Sequence, residues 1–233
     1  MAAFDDAVSL GVDAIELDVH LSKDGQVVVI HDPTLERTTN GRGAVADQTA
    51  DALSRLDAGW HFEDSGNHPF RGQDIGVPTL ERVLARHRDV PFIIELKDPS
   101  AELAVRAIEL VRRLGAVERV MFGSFSAVPL AAVRSSGLPF LTSAAVPEAL
   151  RAALRSKIWL GPGRPAYQLF QLPEWRRGWR VITPRFVAGA RRAGLPVHVW
   201  VVDEEADMRR LLDWGVTGLI SDRPDVAMRV VHG

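Results

Sequence analysis

Ala14-Ile15-Glu16-Leu17-Asp18-Val19-His20, followed by the turn Lys23-Asp24-Gly25 and then by His31-Asp32-Pro33, decides how the rest of the chain is read. Side chains alternate along a strand, so Glu16, Asp18 and His20 share one face while Leu17 and Val19 take the other and pack beneath it. The Gly-containing turn lets residues 26–30 run back antiparallel, a pairing expected to set His31 opposite Glu16. Two carboxylates and a titratable imidazole near the C-terminal end of a strand form a catalytic arrangement for an α/β barrel.

The pattern continues on both sides of this stretch. Short apolar runs over 14–19, 91–97, 119–124, 139–143, 167–171, 196–202 and 217–221 predict strands. Amphipathic stretches over 80–88, 101–114, 128–136, 147–155, 183–193 and 204–214 predict the helices between them. Several of these end just before Gly115, Gly137, Gly194 or Gly215, as helix C-termini do. Residues 1–10 read as the latter part of a further helix, closed by Gly11. Alternating β and α units predict a parallel sheet. No G-x-G-x-x-G turn supports an open doubly wound sheet, so the expected fold is a (β/α)8 TIM barrel, one domain over 1–233. The stretch 33–78 fits no βα unit and reads as one excursion over the barrel mouth, a loop length seldom seen without a function.

Composition narrows the class. A chain of 233 residues with net charge −2 gives no reason to expect nucleic acid or an anionic membrane as partner. No apolar run approaches the roughly 20 residues of a membrane span, so no stable insertion is expected. The absence of cysteine excludes disulfides, thiolate metal sites and cysteine nucleophiles. No signal-peptide pattern is visible, which makes a cytoplasmic location the expectation. Arginine dominates the basic residues, lysine standing only at 23, 97 and 157, a bias of GC-rich bacterial coding. Lys97 is therefore conspicuous: with Glu95 it shares one face of an otherwise apolar strand. Glu16, Asp18 and Glu95 together suit a hard cation such as Mg²⁺ or Ca²⁺, because buried carboxylates repel one another without one.

Several motifs fall in order along the chain: Glu16-Leu17-Asp18-Val19, Lys23-Asp24-Gly25, His31-Asp32-Pro33-Thr34-Leu35 and Arg37-Thr38-Thr39-Asn40-Gly41. Pro78-Thr79-Leu80, Glu95-Leu96-Lys97, Ser124-Phe125, Val199-Trp200 and Gly218-Leu219-Ile220-Ser221-Asp222-Arg223-Pro224 complete the series. In these the chain resembles the glycerophosphodiester phosphodiesterase family over nearly its whole length. The resemblance implies a TIM barrel that uses a divalent cation to hydrolyse glycerophosphodiesters to sn-glycerol 3-phosphate and an alcohol. It makes Glu16, Asp18 and Glu95 the metal ligands, His31 one of two proton-transferring histidines, and Lys97 the cation facing the phosphoryl oxygens. The family's first strand also carries a His-Arg-Gly motif, and a Pro-Glu-Asn-Thr segment follows it. None of His20, His61, His68, His87, His198 or His232 stands in such a context, and Met1-Ala2-Ala3-Phe4 opens inside the following helix. The expectation is a barrel without its first strand, weakly active in this form. Two rival readings stand beside it. One is a catalytically impaired cation-binding or interaction protein. The other is a lysophospholipase D-like enzyme, which needs an apolar groove that the loops read as too polar to supply.

Weaker signals take plainer readings. His20 is expected to be a solvated or packing histidine, and His198 a satisfied structural one. Trp200 and Ser124 are expected to line the barrel mouth and touch substrate, with no base beside Ser124 to make it a nucleophile. Residues 159–180, rich in tryptophan and arginine, read as a strand and a long loop able to shape the alcohol pocket.

Overall fold

The computed structural model describes residues 1–157 and 165–233. Helix α1 (Ala2–Ser9) leads into strand β1 (Ile15–Leu21), which hairpins into β2 (Val27–Val29). Next come α2 (Ala50–Ser54) and α3 (Leu80–Arg86), then β3 (Phe92–Leu96), α4 (Ala101–Arg113), β4 (Val120–Gly123), α5 (Ala127–Ser135), β5 (Leu141–Thr142) and α6 (Val146–Lys157). Strand β6 (Phe170–Pro173) precedes a small hairpin, β7 (Trp175–Arg176) and β8 (Trp179–Arg180). The chain ends with α7 (Pro184–Arg192), β9 (Val197–Trp200), α8 (Glu205–Asp213), β10 (Gly218–Leu219) and α9 (Pro224–His232).

Seven of these strands are parallel and neighbour one another in chain order. One ladder runs β1-β3-β4-β5 and a second β6-β9-β10. A parallel bridge between Ser143 and Leu169 joins the two, reinforced by Gln168 N–H donating to the Thr142 carbonyl. Successive parallel strands alternating with helices form the wall of a TIM barrel, as the sequence predicts. Among the described residues no strand lies between β10 and β1.

Local chemistry explains the elements. In β1 the outward Ile15, Leu17 and Val19 are buried and inward Glu16 and Asp18 half-buried. Thr79, Ser126 and Thr183 cap α3, α5 and α7 by accepting from Arg82, Val128 and Phe186 N–H, and Pro184 starts α7 where a missing N–H costs nothing. Arg119 braces the α3–β3 turn, donating to the carbonyls of Leu84, His87 and Val90.

Two apolar clusters fill the space between strands and helices, one beneath β1, β3 and β4 and the other beneath β6 and β9. The excursion over 33–78 has its own small core of Leu35, Val45, Leu53 and Val77 packed on Val28 and Ile30.

Three expectations need correction. The strand predicted over 167–171 forms over Phe170–Pro173, the residues that pair in parallel with Val197–Trp200, while Leu169 makes only a bridge to Ser143. The long loop read after it is the β7–β8 hairpin; Trp159, at the start of that stretch, lies outside the described residues. The register Val19↔Val29 ends the first hairpin early. Ile30 N–H still donates to the Asp18 carbonyl, but His31 falls level with Leu17, not Glu16.

Candidate active site

Parallel pairing builds the centre of the site directly. Asp18 of β1 lies beside Glu95 of β3, and Glu16 stands one pleat below Asp18. Among the described residues, these three carboxylates form a group whose ligand atoms all lie within 4.8 Å of one another. Lys97 Nζ sits 3.0 Å from Asp18 Oδ1 and 3.0 Å from Glu95 Oε1, and 5.5 Å from the centre of the Phe125 ring.

The electrostatics are those of crowded anions. Burial pushes the Glu16 carboxyl up to about 8, with Asp18 and Glu95 adding repulsion. Burial also raises Glu95, against the pull of Lys97. For Lys97 burial disfavours the ammonium, but Asp18 and Glu95 outweigh it and hold its proton more tightly than usual. One lysine therefore leaves the cluster short of positive charge. Glu95 Oε1 is buried and ion-paired with that ammonium at 3.0 Å. An all-oxygen donor set of three carboxylates set against one ammonium fits a hard divalent cation.

The hairpin end carries the imidazole. His31 is 59% exposed at its side chain, and its Nδ1 lies 2.6 Å from Asp32 Oδ1. Asp32 is gripped by Arg37, through Nε at 2.5 Å and Nη2 at 2.9 Å, which holds its carboxyl well below the ordinary range. An ionised carboxylate only accepts, so His31 Nδ1 carries the hydrogen and Nε2 is left for an incoming group. His20 is buried and structural: Nδ1 lies 3.0 Å from Asp98 and Nε2 3.1 Å from the His31 carbonyl, fixing the hairpin to the end of β3.

The other predicted residues fall on the opposite wall. Trp200 ends β9 and meets the Phe125 ring, centroids 5.8 Å apart. Ser124 lines the same space, with its hydroxyl donating to the Leu96 carbonyl and accepting from Ser126 N–H. His198 packs over Gly218, where a Cβ would come within 2.5 Å of its ring; burial lowers its basicity.

Sequence reasoning missed Asp98 and the Asp32–Arg37 pair, whose positions next to Lys97 and His31 were the available signal. It also missed the character of the second wall. A cavity of about 760 Å³ runs from Glu95 and Trp200 outward between α6 and the β7–β8 hairpin, past Val146, Leu150, Leu154 and Val181. The prediction that this mouth is too polar for an acyl chain is overturned. The apolar face of α6 and the folded hairpin opposite it are invisible as a unit in the sequence.

Comparison with known proteins adds four findings. The family model described as the glycerophosphoryl diester phosphodiesterase family matches residues 1–226. The chain is 34% identical over 241 residues to a glycerophosphodiester phosphodiesterase of Caldanaerobacter subterraneus subsp. tengcongensis, covering 100% of this chain and 91% of that protein. Its fold is similar to the crystal structure of a glycerophosphodiester phosphodiesterase from Agrobacterium tumefaciens (TM-score 0.74, 32% identity, 97% of this chain and 90% of that one). It also resembles a glycerophosphoryl diester phosphodiesterase domain from Mycobacterium tuberculosis (TM-score 0.83, 24% identity, 97% and 91% covered).

Proposed function

We propose, from the premise that this chain belongs to the glycerophosphoryl diester phosphodiesterase family, that it hydrolyses glycerophosphodiesters to sn-glycerol 3-phosphate and an alcohol with the aid of Mg²⁺ or Ca²⁺. The observation that carries this reading is the grouping of Glu16, Asp18 and Glu95 within 4.8 Å of one another, with the Lys97 ammonium paired to Asp18 and Glu95. Those three carboxylates would hold the cation. When bound, such an ion polarises a phosphoryl oxygen and offsets the charge that builds there.

The chain's own residues take the remaining roles. Lys97 is fixed by two carboxylates and set against Phe125, so its charge is already in place for the phosphoryl oxygens, with no reorganisation needed during reaction. His31 transfers a proton at Nε2; Asp32 sets its tautomer and Arg37 sets Asp32. Asp98 acts one step further away, holding His20 and, through it, the His31 backbone. Trp200 and Ser124 line the wall that bounds the substrate.

The test is release of glycerol 3-phosphate from sn-glycero-3-phosphocholine with added Mg²⁺ or Ca²⁺ and again after chelation. Turnover that depends on the cation is expected. Turnover unchanged by the chelator would overturn the metal role, and no turnover with either ion would overturn the substrate assignment.

A further inference from the structure

The floor of the cavity carries polar groups for which the chemistry above has no use. Gly123 ends β4 and pairs in parallel with Glu95, so it takes the inward position beside the carboxylate cluster. A Cβ on Gly123 would lie 3.0 Å from Gln171 Oε1 and 3.3 Å from Ser143 Oγ. The two oxygens therefore converge on one point, which the glycine leaves open. Gly123, Ser143, Gln171 and Glu95 all line the cavity there.

Neither converging group is engaged. Ser143 is only 2% exposed, yet its hydroxyl, like the Gln171 amide, makes no hydrogen bond to any described residue. Buried polar groups ordinarily have partners. Ser124 shows the usual case nearby, its hydroxyl hydrogen committed to the Leu96 carbonyl. The backbone behind the floor is firmly held. Ser143 N–H donates to the Phe122 carbonyl, and the Ser143 carbonyl accepts from Arg134 Nη2, itself bound to Glu148. Gln171 sits within β6, in register with His198 of β9.

The donor set defines the occupant. A second cation would call for carboxylates here, and a hydrocarbon for an apolar floor. An amide and a hydroxyl each offer both donor and acceptor, which suits neutral hydroxyl groups. Either end of the amide serves, because a substrate hydroxyl can accept from one and donate to the other. Glu95 joins this floor to the cluster, so the hydroxyls belong to the portion of substrate next to the phosphorus. Glycerol carries two of them on adjacent carbons.

We propose that Gln171 and Ser143, meeting over Gly123, form the subsite for the glycerol hydroxyls and set the preference for a glycerol diester. The inference rests on the phosphodiesterase reading for the phosphate at the cluster and deepens it by assigning the glycerol side. Both are specificity residues, with no part in breaking the P–O bond.

The test has a turnover arm and a binding arm, each in Mg²⁺ or Ca²⁺. Turnover compares sn-glycero-3-phosphocholine with propyl phosphocholine, which keeps the choline ester and lacks both hydroxyls. Wild type should favour the glycerol diester by about 10²-fold in kcat/KM, roughly tenfold for each hydrogen-bonded hydroxyl. Calorimetry compares sn-glycerol 3-phosphate with propyl phosphate and needs no turnover; the same preference is expected. Gln171→Leu should cut both preferences by about tenfold, and Ser143→Ala by several-fold. Circular dichroism checks each variant, and Ser143→Ala, which removes a single oxygen, carries the test if the leucine variant does not fold. A merely structural role would lower both diesters alike and leave their ratio unchanged. Glycerophosphocholine turnover with a wild-type ratio near one, or with a ratio that the folded variants keep, overturns the inference and leaves the phosphodiesterase reading intact. No turnover of either diester, with the glycerol 3-phosphate preference still lost in the variants, overturns that reading and, with it, the substrate role of the floor.

Discussion

The two halves of the barrel mouth are built on opposite principles. The half on β1 and β3 packs three carboxylates and a lysine into a partly buried space, so each group's charge is set by its neighbours. The half between α6 and the β7–β8 hairpin is walled by aliphatic side chains and edged by arginines and tryptophans that face water. The first half is costly to fold, because it buries like charges together with one ammonium between them. The second brings apolar surface up to the first, the two meeting at Glu95 and Trp200. Trp200 and Phe125 stand on the line between them.

The largest effect that would break this division falls on the polar half. His31→Ala should lower kcat on glycerophosphocholine by about 10²–10⁴-fold, the usual worth of a general acid or base. The melting temperature should stay near wild type, since the side chain is mostly exposed. Steady-state kinetics beside a thermal melt checks this, and an unchanged kcat would remove His31 from the mechanism.

A smaller effect belongs to the frame that carries both halves. Gly218→Ala drives a Cβ to 2.5 Å from the His198 ring, on paired parallel strands. Overpacking of this kind costs about 1–3 kcal/mol, to be read by urea unfolding. A neutral result would mean that His198 has room to turn away.

The smallest effect tests the second half alone. Glu174 accepts from Arg210 and Arg180 at the base of the β7–β8 hairpin, and these partners hold its carboxyl below the ordinary range. A depressed carboxylate adds stability that is present above its unfolded-state pKa and fades as pH falls through its folded one. Wild type should thus lose, between about pH 4.5 and lower values, roughly 1 kcal/mol that Glu174→Gln never has. Unfolding curves for both proteins at pH 7 and below pH 4 measure it; parallel pH profiles would show the pair adds nothing.

The polar half was legible because its chemistry lies within single strands. Glu16 and Asp18 alternate with Leu17 and Val19, and Glu95 and Lys97 with Leu96, so period two alone places them on one face. The register of His31 was not legible, since the hairpin stops pairing at Val19 and Val29 and the chain then bends away. Nor was the apolar half, because no single segment contains it. Leu150 and Leu154 become a groove wall only when the hairpin folds opposite them, and that hairpin turns at Arg177 and Gly178, both with positive φ. Arg-Gly meets that demand less recognisably than Asn-Gly, so the turn reads as loop. The bridge of Ser143 to Leu169 that aligns the two ladders is likewise a long-range fact.

The central claim is that the polar half is a cation site made by Glu16, Asp18 and Glu95. Calorimetric titration of chelator-treated protein with Mg²⁺ and with Ca²⁺, for wild type and for Glu95→Gln, tests it most directly. One ion per chain should bind wild type, and binding should vanish in a Glu95→Gln protein whose circular dichroism is unchanged. Equal binding by the two proteins would contradict the account.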